Sequence, residues 1–203
     1  QFIPIVRRDT DTGYQEGTAL TARQYGDFLS GVFDEWVHHD VGGVYVQIFD
    51  VALAAWMGQR SGLCIFEPTC GLGLAMEHNG DLYACDHFVE PRYRRGNIME
   101  TSLLELVASP AQWEFGQATL AALPQQCLAC DVRFICHGAC PKDRLLPSAD
   151  GAPRLNYLCA AYKRFFTHAA PYMDAMADLL RQRQPPALVM NMVARIADGN
   201  PKT

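Results

Sequence analysis

Eight cysteines stand in this chain of 203 residues, and their spacing is the first chemistry it offers: Cys64, Cys70, Cys85, Cys127, Cys130, Cys136, Cys140 and Cys159. Cys127-x2-Cys130-x5-Cys136-x3-Cys140 places four sulfurs within fourteen positions and puts Pro141 directly after the last. Thiols at two- and three-residue spacings suit metal ligation, because short links fold into knuckles that bring pairs of thiolates onto one centre. Eight sulfurs make two four-sulfur sites. Disulfides fit less well. They staple small secreted scaffolds that cannot build a core, whereas this length with 49% hydrophobic residues can bury one.

The four clustered cysteines could in principle surround one metal, but Pro141 argues for a different arrangement. In bacterial ferredoxins a run ending C-x3-C-P sends its last cysteine to the other cluster. By that analogy Cys140 joins Cys64, Cys70 and Cys85, and Cys159 takes its place beside Cys127, Cys130 and Cys136. Each centre then ties together segments tens of residues apart, so that binding free energy becomes folding free energy. Zinc accepts the same four thiolates, so two zinc sites are a second reading, above all for a fragment prepared in air.

These ligands need elements to hold them. Phe2 to Val6 reads as a strand, and Thr21-Ala22-Arg23-Gln24 has the capping-box form that opens a helix. Tyr25, Phe28, Leu29, Val32, Phe33 and Trp36 then recur at helical spacing up to about His38. "VYVQIFD" (44–50) is a β-rich run followed by the helical stretch "ALAAWMGQR" (52–60). Strand, helix, strand, helix over residues 1–60 suggests the end of a partial α/β barrel.

From Cys64 the composition turns to glycine, cysteine and short segments. Asn79-Gly80 between two strand-like runs predicts a hairpin whose second strand carries Cys85. Ser102-Leu103-Leu104-Glu105 and Ser109-Pro110 mark two helix starts. "LNYLCAAYKRFFTHAAPYMDAMADLLRQR" (155–183) predicts a long amphipathic helix, with Tyr157, Ala161, Phe165, Met173, Met176 and Leu180 inward and a kink near Pro171. Pro185-Pro186 separates it from a short amphipathic tail. The expected class is α+β: a barrel end over 1–60, a cysteine-rich domain with two metal centres over 61–168, and a helical tail over 169–203.

A formal charge of −5 and a pI near 5.6 give no reason to expect nucleic acid or an anionic membrane as partner. No run of eighteen apolar residues occurs, and the amino terminus lacks the order of a signal peptide, so the expected location is cytoplasmic. A start at Gln1 reads as a segment of something longer.

Cys70-x9-Gly80-x4-Cys85, then Cys127-x2-Cys130-x5-Cys136-x3-Cys140, then Cys159 resembles the seven-cysteine signature of the SPASM domain of radical SAM enzymes. With Cys64, "ACD" at 84–86, "RRGNI" at 94–98 and "LNYLCAAYKRFF" at 155–166, the chain from about residue 1 to 180 resembles the carboxy-terminal half of anaerobic sulfatase-maturating enzymes. The resemblance implies two auxiliary 4Fe-4S clusters with the crossed ligation above. Every iron then carries a cysteine, which favours electron transfer or structural support over Lewis-acid chemistry. It also implies a role for Asp86, as the base that takes a proton from the substrate side chain. The competing reading of Asp86 is a carboxylate that accepts backbone amide hydrogen bonds.

No CxxxCxxC motif is present, so S-adenosylmethionine and a third 4Fe-4S cluster are expected in an upstream half that generates the radical. The implied reaction oxidises a sulfatase cysteine or serine to Cα-formylglycine. Its expected partners are the sulfatase polypeptide and an electron carrier such as flavodoxin or ferredoxin. Another SPASM peptide modifier, building a thioether or a quinone cofactor, is one alternative; a non-catalytic, zinc-stabilised peptide-binding module is another. His87, His137 and the other histidines show no carboxylate partner in the sequence and read as structural or solvated. Arg92, Arg94 and Arg95 read as a solvated turn in preference to a basic patch for a peptide or an acidic electron donor.

Overall fold

The computed structural model describes residues 1–6, 20–149, 151–152 and 154–199. Parts of the expected spans 1–60 and 169–203, namely 7–19 and 200–203, lie outside them. The elements in chain order are α1 (Ala22–His39), α2 (Gln47–Trp56), β1 (Ala75–Met76), β2 (Asp81–Tyr83), β3 (Arg94–Asn97), α3 (Leu103–Val107), α4 (Pro110–Ala121), α5 (Gln125–Leu128), α6 (Arg133–Cys136), α7 (Cys159–Arg181) and α8 (Val193–Ala197). This is an α+β composition divided into two compact units. One comprises Gln1–Gly62, Asp131–Cys136 and Tyr157–Thr203; the other comprises Leu63–Cys130 and His137–Asn156.

The first unit is helical. Thr21 caps α1 as expected: its hydroxyl accepts from the Gln24 amide at 3.2 Å, and Gln24 Oε1 accepts from the Thr21 amide at 3.0 Å. The apolar stripe of α1, Tyr25, Leu29, Phe33, Trp36 and Val37, is buried, while Phe28 is largely exposed. Phe33 meets Phe165 of α7 and Phe49 of α2 edge-to-face at 5.9 and 5.1 Å, the geometry that aromatic quadrupoles favour. α7 runs unbroken through Pro171. The proline forfeits one backbone donor, and burial of Phe165, Phe166 and Ala169 before it and of Tyr172, Met173 and Met176 after it outweighs that loss. His168 has the carboxylate partner that the sequence did not reveal: its Nε2 lies 2.6 Å from Asp34 Oδ1.

Neither strand expected in this unit forms. Residues 44–50 lead directly into α2, because Ile48, Phe49, Val51 and Ala52 are buried together on one helical face continuous with "ALAAW". Tertiary burial overrides the β preference of the individual residues. Phe2 to Val6 has no strand partner; it is held instead by the Tyr25 hydroxyl, which donates to the Phe2 carbonyl at 3.1 Å, and by Phe28, 5.0 Å from the Phe2 ring. No strand of an α/β barrel is present among the described residues of this unit.

The second unit carries a three-stranded antiparallel sheet in the order β1-β2-β3. Its hairpin pairs Ala75 with Tyr83 and Met76 with Leu82. The Glu77 amide donates to the Asp81 carbonyl at 2.9 Å, which leaves a three-residue loop closed by Gly80 at φ +87°, a left-handed position open to glycine. The sequence reading missed β3. Between Leu82 and Tyr83 the β2–β3 register slips by one, so that Arg95 bulges out of the ladder. Arg94 binds Asp81 at 2.6 Å, and this guanidinium, followed by Asn97, holds the Asp81 carboxyl down at about 2. Ser102 and Ser109 both cap as expected, the first in a reciprocal box with Glu105.

Candidate metal centre

Six of the eight cysteines lie in the second unit, among them four in its loops and turns. Cys64 opens a short 3-10 turn, Cys70 lies in the loop before β1, Cys85 follows β2, and Cys140 precedes the turn Pro141–Asp143. None of the eight forms a disulfide. Burial is the largest influence on three of the thiols: it raises Cys64 and pushes Cys85 and Cys140 up to about 12. In all three the Cys70 thiolate adds a further upward push through its charge. The Cys70 charge is thus felt at the other three sulfurs.

Cys85 also donates its S–H to Asp86 Oδ1 at 3.2 Å. His87 Nδ1 lies 3.9 Å from the same carboxylate oxygen and 3.8 Å from Cys140 Sγ. Ligand atoms of Cys85, Asp86 and His87 all fall within 4.8 Å of one another. His87 was read from the sequence as lacking a carboxylate partner; adjacency in "CDH" was the available signal.

Two residues that the sequence reading passed over build this centre. Gln112 of α4 is 3% exposed. Its amide nitrogen donates to the carbonyls of Gly71 and Ala84 at 2.9 and 3.0 Å, and its oxygen accepts from Arg95 Nε at 2.8 Å. One side chain thus fixes the residue after Cys70 and the residue before Cys85, and the β3 bulge supplies the arginine that orients it. Burial in turn lowers Arg95. Gly116, one turn along α4, accepts from the Cys70 amide at 3.3 Å, and a Cβ there would stand 2.6 Å from the Cys70 carbonyl oxygen. Arg92 pairs with Glu90 at 2.8 Å and lies over the Tyr93 ring, so each of the three arginines at 92–95 has an intramolecular partner.

Of the remaining cysteines, Cys127 and Cys130 also belong to the second unit. Cys127 sits within α5, and the Cys130 amide donates to its carbonyl at 3.2 Å, forming the knuckle that the x2 spacing implies. Burial raises Cys127, and the Arg144 charge opposes that rise. Cys136 ends α6 and Cys159 begins α7, both in the first unit.

The donor chemistry fits an iron-sulfur cluster: the four thiols are unoxidised, and helix α4 braces the loops of two of them. A pH consequence follows for the metal-free chain. Thiols raised from 9.0 to about 12 favour their neutral form in the folded state, so the stability they contribute is complete below pH 9 and is lost between 9 and 12. Thermal unfolding of metal-free protein is expected to hold steady from pH 7 to 8.5 and to fall steeply from 9 to 11. A melting temperature unchanged across that upper range would count against the burial of Cys85 and Cys140.

The SPASM family, an iron-sulfur cluster-binding domain, matches residues 68–131. A serine-type anaerobic sulfatase-maturating enzyme of Bacteroides thetaiotaomicron is 44% identical over all of this chain and 51% of its own length. One from Klebsiella pneumoniae is 34% identical over 88% of this chain and 43% of its own. A cysteine-type relative from Clostridium perfringens is 30% identical over 80% and 44% respectively. A solved structure described as native anSMEcpe with bound AdoMet and Cp18Cys peptide superposes with a TM-score of 0.71, at 29% identity over 82% of this chain and 47% of that one. The chain spans about half the length of the curated relatives it matches. No described helix is long and apolar enough to cross a membrane.

Proposed function

This chain belongs to the anaerobic sulfatase-maturating enzymes, radical SAM proteins with an iron-sulfur SPASM domain, and from that membership we propose that it is the carboxy-terminal part of an enzyme oxidising a sulfatase cysteine or serine to Cα-formylglycine. Cys64, Cys70, Cys85 and Cys140 hold one 4Fe-4S cluster, and Cys127, Cys130, Cys136 and Cys159 hold a second. The observation that carries the reading is the bracing of the Cys70 and Cys85 loops by the one Gln112 side chain, with Cys140 Sγ 3.8 Å from the His87 ring that follows Cys85 and Asp86. The second set rests on spacing and on the knuckle at Cys127 and Cys130.

When bound, such clusters supply one-electron acceptors, which a two-electron oxidation begun by hydrogen-atom removal requires. The chain's own residues do the rest. Eight thiols surrender their protons to become ligands, Gln112 and Gly116 fix the Cys70 loop, and Asp86 takes the proton from the substrate thiol or hydroxyl. The radical source, S-adenosylmethionine with a third cluster, belongs to the other half of the relatives' length. The sulfatase polypeptide and a flavodoxin- or ferredoxin-like carrier are the partners, and residues 61–168 and 169–203 are the SPASM domain and the helical tail.

Iron and acid-labile sulfide counts on anaerobically prepared protein test this reading. About eight irons are expected for two cubane clusters, and Cys140→Ser is expected to lose about four while leaving the second cluster's signal intact. Zinc bound to four thiolates without sulfide would sink the redox reading and favour the peptide-binding module.

A further inference from the structure

The three residues between Cys136 and Cys140 all lie in the left-handed region: His137 at φ +46°, Gly138 at +78° and Ala139 at +49°. Two of the three are not glycine, and such a run costs energy that some other group must offset. Arg144 is that group. Its buried guanidinium donates to the carbonyls of His137, Gly138 and Ala139 at 3.3, 3.1 and 3.1 Å, and to that of Thr119 at 2.6 Å.

A trans peptide plane points its N–H opposite to its C=O. Three successive carbonyls drawn onto one guanidinium therefore aim the amides of Gly138, Ala139 and Cys140 the other way. The turn through His137 and Gly138 closes on the Ala139 amide, but no acceptor receives the Gly138 or Cys140 amide among the described residues, although both residues are buried. Buried amides without a partner are rare singly, and two turned to one side of the chain make a donor pair of the kind with which backbone binds an anion.

We propose that the amides of Gly138 and Cys140 donate hydrogen bonds to sulfur atoms of the iron-sulfur cluster that Cys140 ligates, and that Arg144 is the positioning residue that turns them there. Anionic sulfur is the acceptor chemistry at hand: the second amide belongs to a cysteine that is itself one of the proposed ligands. The donors face away from Arg144, whose charge reaches Cys127 of the other set. Hydrogen bonds to cluster sulfur stabilise the more negative, reduced state and so raise its potential. This inference rests on the cluster reading above.

The test replaces Gly138 with its α-hydroxy analogue, glycolic acid, in the reconstituted full chain. The change exchanges one N–H for an ester oxygen, and of the carbonyls that Arg144 holds it alters only that of His137, the longest of the four contacts. Iron and sulfide content are expected to stay at wild-type level, the midpoint potential of the Cys140 cluster to shift negative, and one strongly coupled exchangeable proton to vanish from its ENDOR spectrum in the reduced state. Arg144→Gln is expected to weaken the same proton couplings, a change that lost stability alone would not produce. Full iron with unaltered potential and spectrum in the ester variant would overturn the proposal while the cluster reading stands. Wild-type chain that takes up no iron or sulfide would instead overturn the cluster reading, and this inference with it.

Discussion

Gly116→Ala is expected to abolish the cluster site at Cys70 while the helical unit stays folded. The added methyl would stand 2.6 Å from the Cys70 carbonyl oxygen and 3.3 Å from its carbonyl carbon, closer than real Cβ contacts allow. Neither partner is a flexible side-chain end that could swing away. Gly116 lies inside α4, which Ser109 and Pro110 start and which Gln112, 3% exposed, anchors against the Gly71 and Ala84 carbonyls. The Cys70 loop must therefore move. Overpacking of this kind costs ~1–3 kcal/mol, but the chemical effect is larger, because the displaced residue is one of the four proposed ligands of a single cluster. Loss of about half of the bound iron, with far-ultraviolet circular dichroism close to wild type, is the expected outcome. Full iron content in this variant would show that Cys70 is not held through α4.

Candidate ligands stand out in the sequence because metal chemistry is written in residue type and spacing, and the grouping of Cys140 with Cys64, Cys70 and Cys85 rests on Pro141. Asn79-Gly80 carried the hairpin, whose second strand ends two residues short of the expected Cys85. The ligands' supports were not legible. Gln112 reads as one more polar helix residue, since its partners are two backbone carbonyls and Arg95, none of which advertises itself in sequence. β3 was missed because "RRGN" has neither apolar alternation nor β-branched residues; it pairs through backbone bonds and the Arg94–Asp81 contact. "VYVQIFD" is apolar enough for a strand, yet a short apolar run cannot by itself tell a strand from a buried helix segment; "FIPIV" is no helix either, and simply finds no strand to pair with among the described residues. In residues 47–56 the packing surface offered by α1 and α7 settled it for a helix.

Asp86→Asn in the full-length enzyme is expected to cut formylglycine formation by about 10²- to 10⁴-fold, the range for removing a positioned general base, with iron content unchanged. The geometry separates the two parts of this residue. Its backbone is fixed, the amide donating to the Gly73 carbonyl at 3.2 Å, whereas its side chain is 70% exposed and accepts only from the Cys85 thiol and the nearby His87. Cys85 can donate that proton only as a thiol. Once it ligates metal as a thiolate that donor is gone, which frees one more lone pair on a carboxylate that already faces outward. Asparagine keeps the size and the Gly73 tether but cannot take a proton. If Asp86 merely braced the cluster, Asp86→Asn would lower iron content and turnover in step; a variant with full iron and wild-type turnover would remove Asp86 from the reaction altogether.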